Sequence, residues 1–223
     1  MSNTLPDAVG TRRPVVTLFE SYGSGANYIG PRVARALGVP FHEQAFSSQQ
    51  IEDAAERRVE DEGVLSRFFG SLGGSYAGLE GQSVAHAQRD DYELILENTR
   101  IVQQQATQGG VITGRNGAFI LASWPGALHV KLDGPLAQRI ERAARDSGID
   151  IEQAAKRQKR EDQVRADMSL AFYNWDPRET DRYDLVVNTG TMELDVCVDI
   201  IVAAARIKAR SSSAASASGE VRA

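Results

Sequence analysis

Cysteine is nearly absent from this chain: Cys197 is the single one among 223 residues. An intramolecular disulfide is therefore impossible, and we do not expect a zinc site built on cysteine thiolates. Because Cys197 lies in an apolar helical pattern, we predict a buried thiol with a structural role. Long apolar runs are missing too: none approaches the roughly 20 residues needed to span a bilayer, and no apolar signal core opens the chain. We expect a cytoplasmic protein without a membrane partner.

Basic residues are outnumbered. The chain has 25 Lys and Arg against 30 Asp and Glu, which gives a formal net charge of −5. Proteins that bind the phosphate backbone of nucleic acids present a basic surface, so we do not expect a nucleic-acid partner. A small phosphorylated ligand held by local arginines remains compatible with this balance. The apolar share of 42% and the charged share of 25% are ordinary for a soluble globular protein, and the length predicts one domain.

The first patterned stretch of the chain combines a strand, a glycine turn and a helix. Residues 15–19 form a short β-branched and aromatic run, which is typical of a buried strand. After a turn of small residues, Ile29, Val33 and Leu37 recur at four-residue spacing, which predicts one apolar face of a helix that stops at Gly38. This order of elements is the setting in which backbone N–H groups at a helix N-terminus bind phosphate.

The turn itself contains Gly23 and Gly25, whose missing Cβ atoms allow the chain to curl around an anion. The standard phosphate loop reads G-x-x-x-x-G-K-[ST]. The alignment puts Glu20 at the first glycine and Ala26 at the lysine, and it assigns Tyr28 to the hydroxyl that binds magnesium. The sequence keeps the glycines that let backbone N–H groups form a cradle for phosphate, but it lacks the positive charge of the lysine. An ordinary strand-to-helix turn, which also needs glycines, remains the alternative.

Strands and helices alternate along the rest of the chain. Strands are predicted at 111–113, 128–133 and 183–188, and helices at 84–108, 136–147, from Asp150 (paired with Gln153 as in a capping box) and from Leu194 to Ala205. This order predicts an α/β fold with a mainly parallel sheet flanked by helices. A second glycine turn at 114–117 follows the strand 111–113. Because ligands bind beyond the carboxyl ends of parallel strands, Arg115 in this turn is a candidate phosphate ligand.

The chain ends and two internal segments are less regular. Residues 1–13 are predicted to be a disordered arm, and 208–223, which include a Ser- and Ala-rich stretch, a disordered tail. Residues 14–207 are predicted to form one domain. Within it, 45–83 are predicted to be a mobile lobe, and the segment 63–82, which contains many glycines and aromatics, is either a mobile lobe or lid-like loop or a disordered excursion. The basic run at 156–165 is either a solvated helix face or a phosphate-binding cluster.

Taken together, these pieces resemble the cytidylate kinase-like family, a branch of the P-loop nucleoside monophosphate kinases. The resemblance runs from about Val15 to Ile201. The residues that carry it are S-Y-G-S-G at 21–25, A-L-G-V-P-F at 36–41, V-I-T-G-R at 111–115, H-V at 129–130, P-L at 135–136, R-I at 139–140, D-x-x-R at 162–165 and Y-D-L-V-V-N-T at 183–189. Their order and spacing are more specific than any single piece.

The resemblance implies a P-loop NTPase-like fold with a small acceptor-binding lobe at 45–83 and a lid at 148–180. It implies ATP and Mg²⁺ as cofactors, and phosphoryl transfer to a nucleoside monophosphate such as CMP or dCMP. Donor phosphates would contact Gly23, Ser24, Gly25, Ala26, Asn27 and Tyr28, with Arg139 near the donor nucleotide; Gly114 and Arg115 would hold the acceptor; Arg160, Asp162 and Arg165 would act on the transferring group. No residue is assigned to a metal.

The chain departs from this family pattern at three places. True cytidylate kinases have lysine where this chain has Ala26, serine or threonine at the place assigned to Tyr28, and aspartate where it has Asn116. Two functions therefore remain open. The first is an ATP-dependent kinase in which Arg32 or a lid arginine replaces the lost lysine charge. The second is a catalytically impaired module that binds nucleotides and serves regulation or interaction.

Overall fold

The computed structural model describes residues 13–44 and 84–219. Its strands are β1 (Val15–Glu20), β2 (Phe41–His42), β3 (Gly110–Thr113), β4 (Ala127–Asp133) and β5 (Leu185–Asn188). Its helices are α1 (Ala26–Leu37), α2 (Val84–Thr107), α3 (Gly117–Ile120), α4 (Leu136–Ser147), α5 (Ile151–Tyr173) and α6 (Leu194–Gly219). The predicted lobe at 45–83 lies outside the described residues.

The five strands form one parallel sheet in the order β2-β3-β1-β4-β5. Val16 of β1 is in register with Val111 of β3 on one side and with Leu128 of β4 on the other. The predicted α/β fold with a parallel sheet flanked by helices is confirmed. Because β1 and β3 are neighbours and run in the same direction, the two glycine turns that follow them lie at the same edge of the sheet.

Helices cover both faces of the sheet, which explains why its strands read as apolar runs. On one face, Val16 and Leu18 of β1 pack with apolar side chains of α1 and α6. On the other face, Val15 packs with residues of α2 and with Leu121. Cys197 belongs to the first of these two cores, so the predicted buried thiol is confirmed.

Helix α1 forms and ends as its pattern predicts. Ile29 and Val33 are fully buried against the sheet. Gly38 closes the helix in the left-handed region at φ +68°, and its N–H donates to carbonyls of the last turn. At Gly30 an added Cβ would lie 2.4 Å from a ring carbon of Phe41, so glycine allows β2 to approach the helix.

Helices α5 and α6 bear on two further expectations from the sequence. The side chain of Asp150 accepts a hydrogen bond of 2.7 Å from Gln153 N, so the predicted start of α5 is confirmed. This helix runs unbroken through most of the segment 148–180. The last helix continues to Gly219, into the tail for which the sequence predicts disorder from 208. Alanine is the best helix former, and extending an existing helix costs far less than nucleating one.

Among the helices of the described residues, none is long and apolar enough to cross a membrane.

Candidate functional site

The loop after β1 has the backbone shape that its glycines predict. Gly23 and Gly25 have φ of +80° and +88°, and Gly25 is the N-cap of α1. An added Cβ at Gly23 would lie 2.2 Å from the carbonyl oxygen of Arg139. Only glycine fits at this position, because both the dihedral angle and the space exclude a side chain. Because α1 follows β1 directly after this loop, its first N–H groups lie at the carboxyl edge of the sheet.

The donors of this cradle are bound by a side chain of the chain itself. Gly25 N and Ala26 N donate to Glu20 Oε1 at 3.0 and 3.1 Å. Burial raises the pKa of the Glu20 carboxyl, and the charge of Arg165 together with these two hydrogen bonds acts in the opposite direction. A carboxylate thus stands where a phosphate loop holds a phosphate oxygen. The sequence alignment placed Glu20 at the first glycine of the motif but did not identify this contact.

The side chains after the cradle do not supply the missing charge. Ala26 is fully buried and packs in the core between sheet and α1. Counted from Glu20, the eighth position of the motif is the exposed Asn27, so the assignment of Tyr28 to that place was wrong by one residue. Tyr28 instead donates its hydroxyl to Asp195 Oδ1 at 2.9 Å, and the guanidinium of Arg32 lies 3.4 Å from its ring centroid.

Two arginines of α4 donate hydrogen bonds to backbone carbonyls of the loop after β1. Arg139, which is 8% exposed, donates through Nη1 to Tyr22 O at 3.0 Å and to Asp162 Oδ2 at 3.1 Å. Arg142 donates to Gly23 O at 2.9 Å and to the carbonyl of Thr189 at 2.6 Å. The predicted place of Arg139 near the donor nucleotide stays a prediction, since the contacts observed here are with the loop backbone. Arg142 and Thr189 were not identified from the sequence.

Asp162 joins α5 to the same loop. One carboxylate oxygen accepts from Tyr22 N at 2.7 Å, and the other accepts from Gln158 Nε2 at 2.7 Å and from Arg139. Three donors therefore converge on this carboxylate, which is one-quarter exposed. The geometry makes Asp162 an anchor of the loop. Its predicted role in the transferring step is not tested by these contacts.

The second glycine turn, after β3, is held in an unusual backbone conformation. Gly114, Arg115 and Asn116 have φ of +69°, +54° and +56°, three left-handed residues in succession. For residues other than glycine this region is costly, and such strain persists only where the surroundings enforce it. Gly114 N donates to Leu18 O at 2.8 Å, and Asn98 of α2 donates to Arg115 O at 3.0 Å.

The guanidinium groups near this turn have spare donors. Arg115 is half-buried, and its Nε is buried without a hydrogen-bond partner among the described residues. Burial lowers the pKa of Arg115, and burial together with the charge of Arg115 lowers the pKa of His42 at the end of β2. Arg165 donates through Nη2 to Glu161 Oε2 at 2.6 Å, but its buried Nη1 lies 3.7 Å from the nearest oxygen of Asp162. This edge of the sheet is suited to an anion.

The two remaining predicted site residues are Arg160 and Ser24. Arg160 is half-buried on α5, and it forms no hydrogen bond or ion pair within the described part of the chain. Ser24 is fully buried, and its hydroxyl lacks a hydrogen-bond partner among those residues. The structure therefore brings Arg115, Arg165, Asp162 and the loop to one edge, and it shows no contact that joins Arg160 to them. Across the described ranges, no group of three or more His, Cys, Asp or Glu could hold a metal ion.

Comparisons with known proteins identify the family of this chain. The profile of the cytidylate kinase-like family matches residues 15–191. A cytidylate kinase from Methanopyrus kandleri is 27% identical over 202 residues, which cover 85% of this chain and 92% of that protein. A uronate isomerase from Corynebacterium glutamicum is 41% identical over 110 residues, 49% of this chain, and the match spans only 21% of that relative. The resemblance identified from the sequence motifs is confirmed.

One solved structure supports the fold. The crystal structure of an uncharacterized protein from Eubacterium ventriosum superimposes with a TM-score of 0.60 at 16% identity. The match covers 85% of this chain and 96% of that one. At this identity the likeness concerns the fold alone.

Proposed function

Because the chain belongs to the cytidylate kinase-like family, we propose that it transfers a phosphoryl group from ATP to a nucleoside monophosphate, with CMP or dCMP as the acceptor. The observation that carries the proposal is the spare hydrogen-bonding capacity of buried guanidinium groups at the carboxyl edge of the sheet. Arg115 Nε and Arg165 Nη1 are buried without a hydrogen-bond partner in the described residues. Buried donors of this kind are normally paired, and an anionic ligand between the two arginines would supply an acceptor to each, which supports the proposal.

The acceptor would lie against the second glycine turn. An arginine fork can hold two oxygens of a phosphate at once, which positions the group more firmly than a single ammonium. Arg115 lies in the run of three left-handed residues at 114–116, directly after β3. Phosphoryl transfer depends mainly on positioning and on stabilising charge on the transferred group, so two arginines near one edge suit it.

The donor would lie against the loop after β1. Its backbone N–H groups fit a phosphate, provided that the Glu20 carboxylate leaves Gly25 N and Ala26 N. The charge of Arg165 acts on the Glu20 carboxyl and opposes the rise of its pKa. Arg165 is therefore the cation that would take the place of the lysine that the loop lacks. Asn27 has no hydroxyl to offer to Mg²⁺, and the described residues contain no group of three or more His, Cys, Asp or Glu that could hold a metal ion. A Mg²⁺ ion would therefore depend mainly on ligands from outside the protein, such as the phosphates of the nucleotide.

A second function is favoured by the same loop. A cradle that lacks lysine and contains its own carboxylate would bind nucleotides weakly or hold them without transferring phosphate. The chain would then act as a nucleotide-binding module. The two functions differ in turnover, since only the kinase releases ADP in proportion to the monophosphate supplied.

The test is an ADP-release assay with ATP, Mg²⁺ and a panel of CMP, dCMP, UMP, AMP and GMP. We expect turnover with CMP or dCMP and a loss of that turnover in Arg115→Lys. Arg145→Lys, on the exposed end of α4, is the matched control and should keep it. Absence of turnover with every acceptor, together with calorimetric binding of CMP, would support the binding module instead.

A further inference from the structure

The cradle of the phosphate loop and the carboxylate of Glu20 use the same donors. Gly25 N and Ala26 N belong to the first turn of α1, where N–H groups have no partner within the helix. A phosphate at this site would take these donors. An N–H group cannot direct a full hydrogen bond at two acceptors, so Glu20 and a phosphate exclude one another.

We infer that Glu20 is a specificity-determining residue of the donor site: its carboxylate competes with phosphate for the cradle, and a polyphosphate binds only by displacing it. The inference rests on the proposed function, because it takes this loop as the site of the donor phosphates. It goes further by naming the residue that sets the affinity for the polyphosphate end of the ligand.

The loop adds little attraction for an incoming anion. Ala26 brings no cation, and the carboxylate of Asp162 raises the pKa of Glu20, so it repels a negative charge at this place whether Glu20 or a phosphate carries it. Arg165 acts on Glu20 and is already paired with Glu161. A polyphosphate that approached while Glu20 remained in place would therefore meet a second anion at short range, which costs affinity.

The loop also has a donor that the carboxylate leaves unused. The hydroxyl of Ser24, between the two glycines, is fully buried and has no hydrogen-bond partner among the described residues. Buried hydroxyl groups are normally paired. A phosphate offers more acceptor oxygens than the single Glu20 oxygen that binds Gly25 N and Ala26 N, so it can satisfy more of the loop.

The experiment measures binding of inorganic pyrophosphate by calorimetry to the wild-type chain and to two variants. Glu20→Ala removes the acceptor of Gly25 N and Ala26 N, and Glu20→Gln removes the charge while keeping an acceptor oxygen. We expect pyrophosphate to bind about tenfold more tightly to Glu20→Ala, because a hydrogen bond to a charged group is worth about one factor of ten or more. Glu20→Gln should lie between the two.

The control is Glu141→Gln, which removes one negative charge from an exposed position of α4. It should bind pyrophosphate as the wild type does, so that a general change of net charge is excluded. In the wild type, the amide proton resonances of Gly25 and Ala26 should shift when pyrophosphate is added, since their acceptor is exchanged. Melting curves of each variant establish that it is folded.

Unchanged or weaker pyrophosphate binding in both folded Glu20 variants would overturn the inference, and so would an absence of binding in all of them. If Glu20→Ala does not fold, Glu20→Gln decides alone. Turnover in the wild type without tighter binding in the variants would refute the inference and leave the proposed function standing. Tighter binding without turnover on any acceptor would refute the kinase function and leave the inference standing.

Discussion

The two glycine turns at the carboxyl edge of the sheet differ in whether their hydrogen-bond donors are paired within the chain. After β1, the backbone donors of Gly25 and Ala26 are bound by the carboxylate of Glu20. After β3, Arg115 Nε is buried and has no hydrogen-bond partner within the described residues. The backbone donors Gly25 N and Ala26 N of the first turn are paired without a ligand, while the side-chain donor Arg115 Nε of the second is not. A ligand at the first turn must therefore exchange partners, whereas a ligand at the second adds new ones.

The largest effect is expected where the first turn requires glycine. Gly23→Ala places a Cβ 2.2 Å from Arg139 O at a φ of +80°. Left-handed strain and overpacking together should lower the free energy of unfolding by about 2–5 kcal/mol. Gly148→Ala is the control, since it has a φ of +64° and open space within 4 Å. Denaturant unfolding should show a loss of only about 1 kcal/mol there; equal losses would mean that the loop yields to the added methyl.

The second turn should respond in binding and not in stability. Arg115→Ala should weaken CMP binding by about 10- to 100-fold, because charge-assisted hydrogen bonds to phosphate are lost. The melting temperature without ligand should stay nearly unchanged, since the buried Nε of Arg115 has no hydrogen-bond partner to lose in the described part of the chain. Stabilisation by added CMP should disappear, because only a bound ligand raises stability by mass action. A large drop in the ligand-free melting temperature would make Arg115 a structural residue.

The anchor behind the first turn should show a smaller effect on stability. Asp162→Asn keeps an acceptor for Tyr22 N but removes the charge that pairs with buried Arg139. We expect a loss of about 1–2 kcal/mol in the free energy of unfolding, measured in urea. Asp167→Asn, an exposed position on the same helix, should change it by less than about 0.5 kcal/mol. Similar values for both variants would mean that Asp162 does not anchor the loop.

The smallest effect concerns the charge of Glu20. Burial raises the pKa of Glu20 in the folded state, so the native chain binds this proton more readily than the unfolded chain does. The resulting stability is present below the unfolded pKa and is lost as the pH rises through the folded pKa. Glu20→Gln should therefore melt about 1–2 °C above the wild type at pH 7 and at an equal temperature near pH 4. A larger difference at pH 4 than at pH 7 would contradict the sign.

Local patterns predicted the elements well and the contacts between them poorly. The apolar spacing of Ile29 and Val33 and the stop at Gly38 led directly to α1. Arg142 lies far from Gly23 in the chain, and no local pattern indicates that its guanidinium would meet the loop carbonyl. The sequence predicts a disordered tail from residue 208, whereas α6 extends to Gly219, and a Ser- and Ala-rich composition does not reveal whether a preceding helix extends into it.

The amino-acid sequence by itself determined the parallel α/β fold, the family and the place of both glycine turns, because strand and helix periods and glycine positions are properties of neighbouring residues. Only the tertiary structure decided which charges meet. Glu20 could equally have paired with Arg115, as its place in the sequence allows, but the fold directs it to Gly25 N and Ala26 N. The reason is geometric: hydrogen bonds depend on distances of about 3 Å and on angle, and these are set by how β1, β3 and α5 pack, not by their order along the chain.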